Sequence, residues 1–429
     1  MVECAFSLTG TRMSTAVDKK LHLVVAAALA ASCAPATPTL DAIGAGYVQA
    51  ALRLAQHDPS LVDAWRGPDR MEPGPRGPVK QIAADIAALQ HDVDRAGMDL
   101  SSAEEQARRR YLTLQLRALR FAADRQLGRA ASIDEQFAEE FALPLPPLDA
   151  PHVTRTLAEL DRLLPGKETL ADRVNTLRRR IRVPTEKRRE VFEAALSACK
   201  KVSAAVFPLP AREAVEIRIS LFQQHQGWDG FADHTGDFET QIWINDEVPL
   251  DVSRALRLAC HEGYPGHHVQ HVLIDQLFEA RQWMELRLTP TFGRHLLLTE
   301  GAAEVASDLA FPADERAALY RETLFPAAEL DTIDAALLVR VEDLQRELLP
   351  VVTDVARGYL ASTITEAQAR ERLLNEALVA DADVMLAFIQ RQRARALVYG
   401  EGRRLVYSLM PTPTLDGLRA LMQSATALQ

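Results

Sequence analysis

Residues 257–274, RLACHEGYPGHHVQHVLI, constrain the fold of this chain more than any other segment. A histidine and a glutamate stand side by side before the pair Pro265-Gly266, and three histidines follow within five residues of it. Proline removes a backbone donor and clashes with the preceding turn, so a regular helix cannot continue through this pair. Neutral imidazoles are common metal ligands, and a neighbouring carboxylate can move protons. The segment therefore predicts a metal-binding helix that is broken in its middle.

The spacing of the histidines requires that break. Zinc peptidases of the HExxH type place two histidines four residues apart, so that one helix face presents both nitrogens to the metal. Here the fourth position after His261 is Pro265, and the next histidines, His267 and His268, come six and seven residues after His261. Neither spacing chelates one ion from a regular helix. A kink or bulge would bring one of them back beside His261, with Glu262 placed to move protons.

An acidic stripe downstream is the candidate source of a third ligand. Within residues 296–311, LLLTEGAAEVASDLAF, Glu300, Glu304 and Asp308 recur every four residues and share one helical face. Their neighbours are almost all Leu, Ala, Val or Gly, which predicts a mostly buried helix, and buried carboxylates need a cation or hydrogen-bond donors. The alternative is a stripe that faces water or pairs with arginines.

The remainder of the chain predicts a mainly α-helical protein. Alanine, leucine, arginine and glutamate dominate its 429 residues and aromatic residues make up only 6%, a mixture that favours helix over strand. A proline-rich joint at Val206 separates a helical N-terminal lobe, residues 40–205, from a catalytic metal-binding lobe, residues 206–429. The segments 215–222 and 241–245 have strand character and predict a small β element next to the metal helix.

The segment Gln241–Asn245, QIWIN, lies just upstream of the metal helix. An exposed strand in this position can pair with an extended peptide along its edge. Trp243 and Asn245 are therefore candidate substrate contacts. The alternative is an ordinary strand of the core.

The N-terminus predicts export. Lys19-Lys20 precede the apolar run LHLVVAAALAASC, residues 21–33, which matches the order of a secretory signal and is too short to span a bilayer. Cys33 after Ala-Ala-Ser also resembles a bacterial lipoprotein processing site. We therefore interpret residues 1–33 as a signal peptide or lipoprotein leader and expect a protein of the bacterial cell envelope, either periplasmic or lipid-anchored. The alternative is an ordinary N-terminal helix and a cytoplasmic protein.

The central motif resembles that of a known family. HEGYPGHHVQ is similar to the HExxPGHHxQ signature of the DUF885 family, bacterial proteins similar to zinc metallopeptidases of the glutamate-zincin kind. Weaker resemblances follow in the expected order across roughly residues 40 to 420. They are the segment from Tyr47, LLPGKETLADR at 163–173, GDFETQIWIND, LTEGAAEVA, and ALVYGEGRRL from Ala396. The resemblance implies a large helical zincin-like (gluzincin-type) architecture.

The resemblance also implies a set of site residues around a zinc ion, Zn²⁺. His261, His267 and Glu300 become the metal ligands, and Glu262 becomes the general base. His267 is preferred over His268 because PGH is the firmer part of the family pattern. His268 is then expected to support the ligands or to be structural.

Further roles follow from the same motifs. Tyr399 is the best candidate to donate a hydrogen bond to a developing oxyanion, its alternative being an ordinary packed tyrosine. Glu304 is expected to support the ligands or contact substrate. The chain departs from the family at Ala302 and Val305, where aromatic residues are common. These departures leave the ligands intact and alter the expected pocket wall.

These expectations lead to a zinc-dependent hydrolase, a metallopeptidase that cleaves peptide bonds with a glutamate general base and a zinc-bound water. The expected partner is a peptide substrate, and membrane contact is expected only through an N-terminal lipid anchor. A net charge of −10 gives no indication of nucleic acid binding. The alternatives are a catalytically weak or inactive envelope-anchored peptide-binding protein and a purely structural helical protein.

Overall fold

Most of the described chain is helical, which confirms the mainly α fold class. The computed structural model describes residues 38–96, 100, 102–221, 229–330 and 333–423. The predicted leader, residues 1–33, lies outside these ranges. None of the helices within them combines the length and apolar character needed to cross a membrane.

The elements are numbered here in chain order. The α-helices are α1 (Leu40–Ala55), α2 (Val79–Ala96), α3 (Ala103–Gln126), α4 (Ile133–Phe141), α5 (Ala150–Leu163), α6 (Leu170–Arg180), α7 (Arg188–Ala204), α8 (Val252–Leu258), α9 (His267–Arg281), α10 (Gly293–Ala310), α11 (Ala313–Leu319), α12 (Phe325–Ala327), α13 (Ala335–Arg346), α14 (Leu349–Leu360), α15 (Glu366–Asn375), α16 (Ala382–Gln392), α17 (Val398–Leu409) and α18 (Leu415–Gln423). The strands are β1 (Val62–Trp65), β2 (Ala214–Ser220), β3 (Gly230–Gly236), β4 (Glu239–Asn245) and β5 (Leu288–Pro290).

Side-chain caps fix where several of these helices begin. The Ser102 side chain accepts from the backbone of Glu105, whose carboxylate reaches back to the Ser102 N–H, and Thr365 and Gln368 form the same reciprocal pair. The carboxylate of Asp251 accepts the backbone N–H three residues on and starts α8. Each cap satisfies donors that the first helical turn leaves free. The metal helix therefore starts at a position set by its own sequence.

A three-stranded sheet lies beside the metal helix, as predicted. Its strand order is β2-β4-β3, with β2 parallel to β4 and β3 antiparallel to it. The β3–β4 hairpin turns through Asp237 and Phe238, which both have positive φ. That turn matches the right-handed twist of the paired strands. Strand β3 was not predicted, because its glycine- and aspartate-rich sequence is typical of a loop. A second, two-stranded sheet pairs β1 with β5.

The prediction that Gln241–Asn245 offers a free sheet edge is wrong. These residues belong to β4, the central strand, and both of its edges are already paired, to β2 and to β3. A central strand has no free backbone groups with which to bind an extended peptide. Trp243 instead stacks on Phe231 of β3 with ring centroids 6.1 Å apart. Asn245 is buried and accepts the backbone N–H of Glu247.

Two clusters of buried apolar side chains hold these elements together. The larger cluster takes residues from Ile133 to Leu418, and the smaller one takes residues from Leu40 to Ala123 together with Trp283–Phe292. The larger cluster includes apolar residues on both sides of Val206 in the sequence. The predicted lobe boundary therefore lies within one core, and the assignment of separate roles to the two lobes stays a prediction.

The metal helix is interrupted as its sequence requires. Helix α8 passes into a π turn, Ala259–Gly263, and α9 begins only at His267. The Tyr264–Pro265 peptide bond in the gap is cis. The backbone N–H of Gly266 donates to the Cys260 carbonyl over 2.9 Å. A β-carbon at position 266 would overlap the carbonyl oxygens of the π turn, so only glycine permits this close return of the chain.

A disulfide joins α7 to the π turn. Cys199 and Cys260 are both fully buried and are bonded to each other, with Cα atoms 5.7 Å apart. The two cysteines are 61 residues apart in the sequence, so the local pattern gives no sign of their pairing. The bond anchors the residue directly before His261 to the scaffold.

Helices α10 and α17 approach each other through two glycines. A β-carbon on Gly301 would overlap the backbone of Gly402, and a β-carbon on Gly402 would overlap Gly301 and the Leu297 carbonyl. Only residues without side chains allow two helix backbones to come this close. The contact brings the first turn of α17, which carries Tyr399, towards the turn of α10 that carries Glu300.

We expect replacement of both Cys199 and Cys260 by alanine to lower the free energy of unfolding by about 2–4 kcal/mol, because the disulfide restricts a long loop of the unfolded chain. Denaturant unfolding of the oxidised protein, the reduced protein and the double variant measures this. The reduced wild type separates loss of the cross-link from loss of side-chain packing. Equal stability of all three proteins would contradict the expectation.

Candidate metal centre

Two imidazoles on either side of the helix break face one carboxylate oxygen. Nε2 of His261, in the π turn, lies 3.5 Å from Oε2 of Glu300, and Nε2 of His267, at the start of α9, lies 3.6 Å from the same oxygen. The two rings are nearly perpendicular, with centroids 4.8 Å apart. The structure therefore brings together the three residues that the resemblance implies as ligands.

These distances fit a metal site better than a hydrogen-bonded cluster. Hydrogen bonds from nitrogen to oxygen are about 2.7–3.2 Å long. Ligand atoms about 2.0–2.2 Å from a tetrahedral zinc ion are separated from one another by roughly 3.3–3.6 Å. Oε2 of Glu300 is buried and, among the described residues, has no hydrogen-bond partner. Two nitrogens and one oxygen are also a donor set that zinc prefers. The residues present therefore fit a zinc ion.

A polar side chain lies beside the second nitrogen of each imidazole, although Nδ1 of His261 makes no hydrogen bond to the described residues. Nδ1 of His261 lies 3.3 Å from Oε1 of Glu304, and Nδ1 of His267 lies 3.1 Å from Oε1 of Gln270. Gln270 in turn donates to the Thr299 carbonyl over 2.8 Å, which ties α9 to α10. Such partners orient the ring and leave Nε2 free for a metal. Glu304 lies beside His261, and its supporting role stays a prediction. The role of Gln270 was missed, although its position three residues after His267 on the same helix face is the signal for it.

Glu262 lies in the same cluster without occupying the position of Glu300. Its Oε1 is 4.0 Å from Nε2 of His261, and one potential ligand atom from each of His261, Glu262 and His267 lies within 4.8 Å of the others. The side chain of Glu262 is buried. A carboxylate in this position can hold a water molecule next to the imidazoles, as a general base requires.

The carboxylates around the two imidazoles determine which protonation state each ring favours. Burial disfavours the imidazolium form, yet the carboxylates of Glu300 and Glu304 outweigh it and raise the pKa of His261 to about 10. The pKa of His267 is also raised, since Glu300 outweighs the effect of burial. Burial by itself would raise the pKa of Glu300, but the two imidazoles hold it well below its usual range. These directions show that the imidazoles and the carboxylates stabilise each other's charged forms.

His268 lies outside the cluster. It is fully buried, with Nε2 2.8 Å from Oε2 of Glu213 and Nδ1 2.9 Å from Oγ1 of Thr240. Glu213 also accepts from Tyr264 and pairs with Lys200 at 2.7 Å. Burial lowers the pKa of His268, so we assign it as a neutral imidazole that donates Nε2–H to Glu213. The structure places His267, and not His268, beside His261 and Glu300.

The acidic stripe of α10 has two different environments. Glu300 and Glu304 face the imidazoles. Asp308, one turn further along, lies 2.8 Å from Arg316, 2.6 Å from Arg403 and 3.3 Å from Arg346. The alternative of arginine pairing therefore holds for Asp308, and it also reaches Glu304, whose Oε1 lies 3.6 Å from Nη1 of Arg257. Along this face of α10, Glu300 and Glu304 lie at the candidate metal centre, and Asp308 belongs to an ion-pair network with three arginines.

Tyr399 reaches the cluster from α17. Its ring centroid is 6.4 Å from that of His261. Burial and the nearby carboxylates raise the pKa of Tyr399 well above its ordinary value, so its hydroxyl stays protonated and can donate a hydrogen bond. Ala302 and Val305, where the family commonly has aromatic residues, are both buried in the larger apolar cluster. Ala302 and Val305 therefore occupy core positions of α10.

Comparison with known proteins adds little to this geometry. No family model matches the chain, and no curated protein matches it. Similar solved structures include a protein named as a lipoprotein from Colwellia psychrerythraea, with a TM-score of 0.48 and 17% identity over 82% of this chain and 66% of that chain. A protein named as a lipoprotein of unknown function from Shewanella oneidensis has a TM-score of 0.45 and 12% identity over 82% of this chain and 71% of that chain. We transfer no property of either protein, because both TM-scores are below 0.5.

Single substitutions of the adjacent histidines should have different effects. We expect His267→Ala to lower zinc affinity by at least about 100-fold, because it removes a ligand. We expect His268→Ala to keep zinc affinity within about tenfold and to lower the melting temperature instead, because Glu213 loses a buried donor. Chelator competition and thermal unfolding measure the two effects. Equal zinc affinity of the two variants would contradict the assignment.

Proposed function

We propose that this protein is a zinc-dependent hydrolase that cleaves peptide bonds. One observation carries the proposal. Two imidazole nitrogens lie 3.5 and 3.6 Å from the same buried oxygen of Glu300, which makes no hydrogen bond to the described residues, and the buried carboxylate of Glu262 stands beside them. Two histidines and a glutamate leave a fourth position open in a tetrahedral site, which is the pattern of catalytic rather than structural zinc sites. The resemblance of the motif to DUF885 proteins agrees with this proposal.

The proposed chemistry assigns a separate task to each side chain. A zinc ion at this site supplies Lewis acidity, which polarises a carbonyl group and lowers the pKa of water. Glu262 accepts the proton of the attacking water and passes it to the leaving amine. Glu304 and Gln270 hold the rings of His261 and His267 in the orientation that keeps both Nε2 atoms directed towards Glu300.

Tyr399 is proposed to stabilise the developing oxyanion. Its hydroxyl is protonated at neutral pH, and its helix is held close to α10 by the contact of Gly301 with Gly402. A donor that is positioned before the reaction loses little energy to reorganisation when charge develops on the carbonyl oxygen. Tyr399 is therefore the proposed hydrogen-bond donor, beside Glu262 as the proposed base and the proposed zinc site.

We also propose that the protein is exported to the bacterial cell envelope. The basic and apolar order of residues 19–33 supports this, and so does the buried disulfide between Cys199 and Cys260. Disulfides form and persist mainly in oxidising compartments. Fractionation of cells that express the full chain tests the proposal, and exclusive recovery in the cytoplasm would contradict it.

The variant Glu262→Gln tests the role of the general base. We expect it to lower kcat by about 10²–10⁴-fold with unchanged zinc content, because glutamine keeps the shape and cannot accept the proton. Mass spectrometry of a mixed peptide library measures cleavage, and elemental analysis measures zinc. The control is Glu279→Gln, which removes the same charge from an exposed position of α9.

Three outcomes of this experiment are decisive. Loss of cleavage in Glu262→Gln with retained zinc supports the proposed base. Full activity of that variant would refute it. Stoichiometric zinc with no cleavage by the wild type would instead favour the peptide-binding alternative.

The variant Tyr399→Phe tests the oxyanion donor. We expect kcat to fall by about 10²–10³-fold with little change in KM or zinc content, since the hydroxyl acts only on charge that develops in the transition state. Tyr407→Phe is the matched control, because Tyr407 lies on the same helix and contacts Asp308 instead of the imidazoles. Equal kcat values for Tyr399→Phe and wild type would leave Tyr399 as a packing residue.

A further inference from the structure

Arg66 is a half-buried cation whose side chain donates hydrogen bonds, among the described residues, to neutral groups. Its Nε donates to the His234 carbonyl over 2.6 Å, and its Nη1 donates to Oγ1 of Thr289 over 2.9 Å. Within the described ranges, no carboxylate oxygen lies within 4.0 Å of its guanidinium. Burial lowers the pKa of Arg66, and more distant carboxylates such as Asp63 and Asp233 only partly offset it. A buried charge without a partner is costly, so this position favours an anion.

A small cavity lies against Arg66. Its volume is about 20 Å³, and its lining includes Arg66, Arg287, His271 and His295. Arg287 is paired with Asp275 at 3.0 Å, so Arg66 is the lining arginine whose charge is not matched in contact. Nδ1 of His295 is buried and has no hydrogen-bond partner among the described residues. Space of this size holds one or two oxygen atoms and no complete side chain.

The cavity lies close to the candidate metal centre. His271 follows His267 by one turn of α9, and His295 precedes Glu300 by five residues on α10. One helical turn is about 5.4 Å long. Helices α9 and α10 therefore carry both the candidate ligands and residues that line the cavity, at adjacent turns. The pKa of Asp63 in β1 is raised by burial and responds to Arg66 and also to His267 and Glu300, which agrees with this placement.

We infer that Arg66 and this cavity form a subsite for a carboxylate group of the bound peptide, and specifically for its C-terminal carboxylate. One extended residue spans about 3.3–3.6 Å. A chain end one or two residues beyond the scissile bond therefore reaches a point one helical turn from the ligands. The relation of this subsite to cleavage rests on the proposed function. Together, the subsite and that function would make the protein a hydrolase that removes residues from the C-terminus of a peptide. An acidic side chain is the other source of the same chemistry.

Binding to the zinc-loaded Glu262→Gln protein tests the subsite without cleavage. The probes are three hexa-alanine peptides labelled with fluorescein at the N-terminus. One has a free C-terminus, one has a C-terminal amide, and one is amidated and carries glutamate in place of its last alanine. Fluorescence anisotropy should give a Kd at least about tenfold lower for the free acid than for the plain amide, because a charged acceptor strengthens a hydrogen bond to arginine.

Variants assign that preference to Arg66. Arg66→Gln should remove it, Arg66→Lys should keep part of it, and Arg70→Gln should leave it unchanged, since Arg70 is an exposed charge four residues further on. Asp63→Asn should tighten binding of the free acid by removing a repulsive charge. Weaker binding in Asp63→Asn would indicate that an amine is recognised and would contradict the inference.

The remaining outcomes separate this inference from the proposed function. Equal Kd values for the free acid and the amide on the parent protein would overturn the subsite, even if the wild type cleaves peptides. Equal binding of the glutamate amide and the free acid would overturn the assignment to the C-terminus. A preference that depends on Arg66 would uphold the subsite even if the wild type cleaves nothing.

Discussion

The candidate metal centre depends on one interruption of the helical backbone. His261 and His267 are six residues apart, and a continuous α-helix would direct their side chains about 120° apart around its axis. The π turn Ala259–Gly263 and the tight return at Gly266 reorient the two side chains. Both Nε2 atoms therefore approach one oxygen of Glu300. The break costs helical hydrogen bonds, and the chain recovers one of them through the donation from Gly266 to Cys260.

Two further contacts fix the relative positions of the elements that carry the candidate site residues. The disulfide fixes the π turn to α7 through Cys260, the residue directly before His261. The glycine contact at Gly301 fixes α17 against α10 directly after Glu300. Each constraint therefore acts within one residue of a candidate ligand. A catalytic arrangement needs its groups held to a fraction of an ångström, and rigid elements achieve this better than loops.

The sequence predicts the fold class, the strand segments at 215–222 and 241–245, and the site residues that depend on local spacing. The break at Pro265-Gly266 is local, so it can be read without a structure. Whether His267 or His268 turns towards His261 depends on the geometry of the break, and the family pattern was needed to favour one. The disulfide of Cys260 and the central position of β4 arise from contacts between distant segments. Neither leaves a sign in the local pattern, so the disulfide was not predicted and the prediction of a free edge at β4 was wrong.

The contrast between two neighbouring polar groups separates structure from function in this molecule. Glu213 has His268, Lys200 and Tyr264 as partners, so its charge is compensated within the protein. Glu300 is somewhat more exposed, yet its Oε2 is buried, has no hydrogen-bond partner among the described residues and faces two imidazole nitrogens beyond hydrogen-bond distance. The imidazoles offset the charge of Glu300, but an oxygen held beyond hydrogen-bond distance of its donors lacks the free energy of that bond. The unsatisfied oxygen is therefore the best evidence that a cation completes this site, and folding and metal binding should be linked.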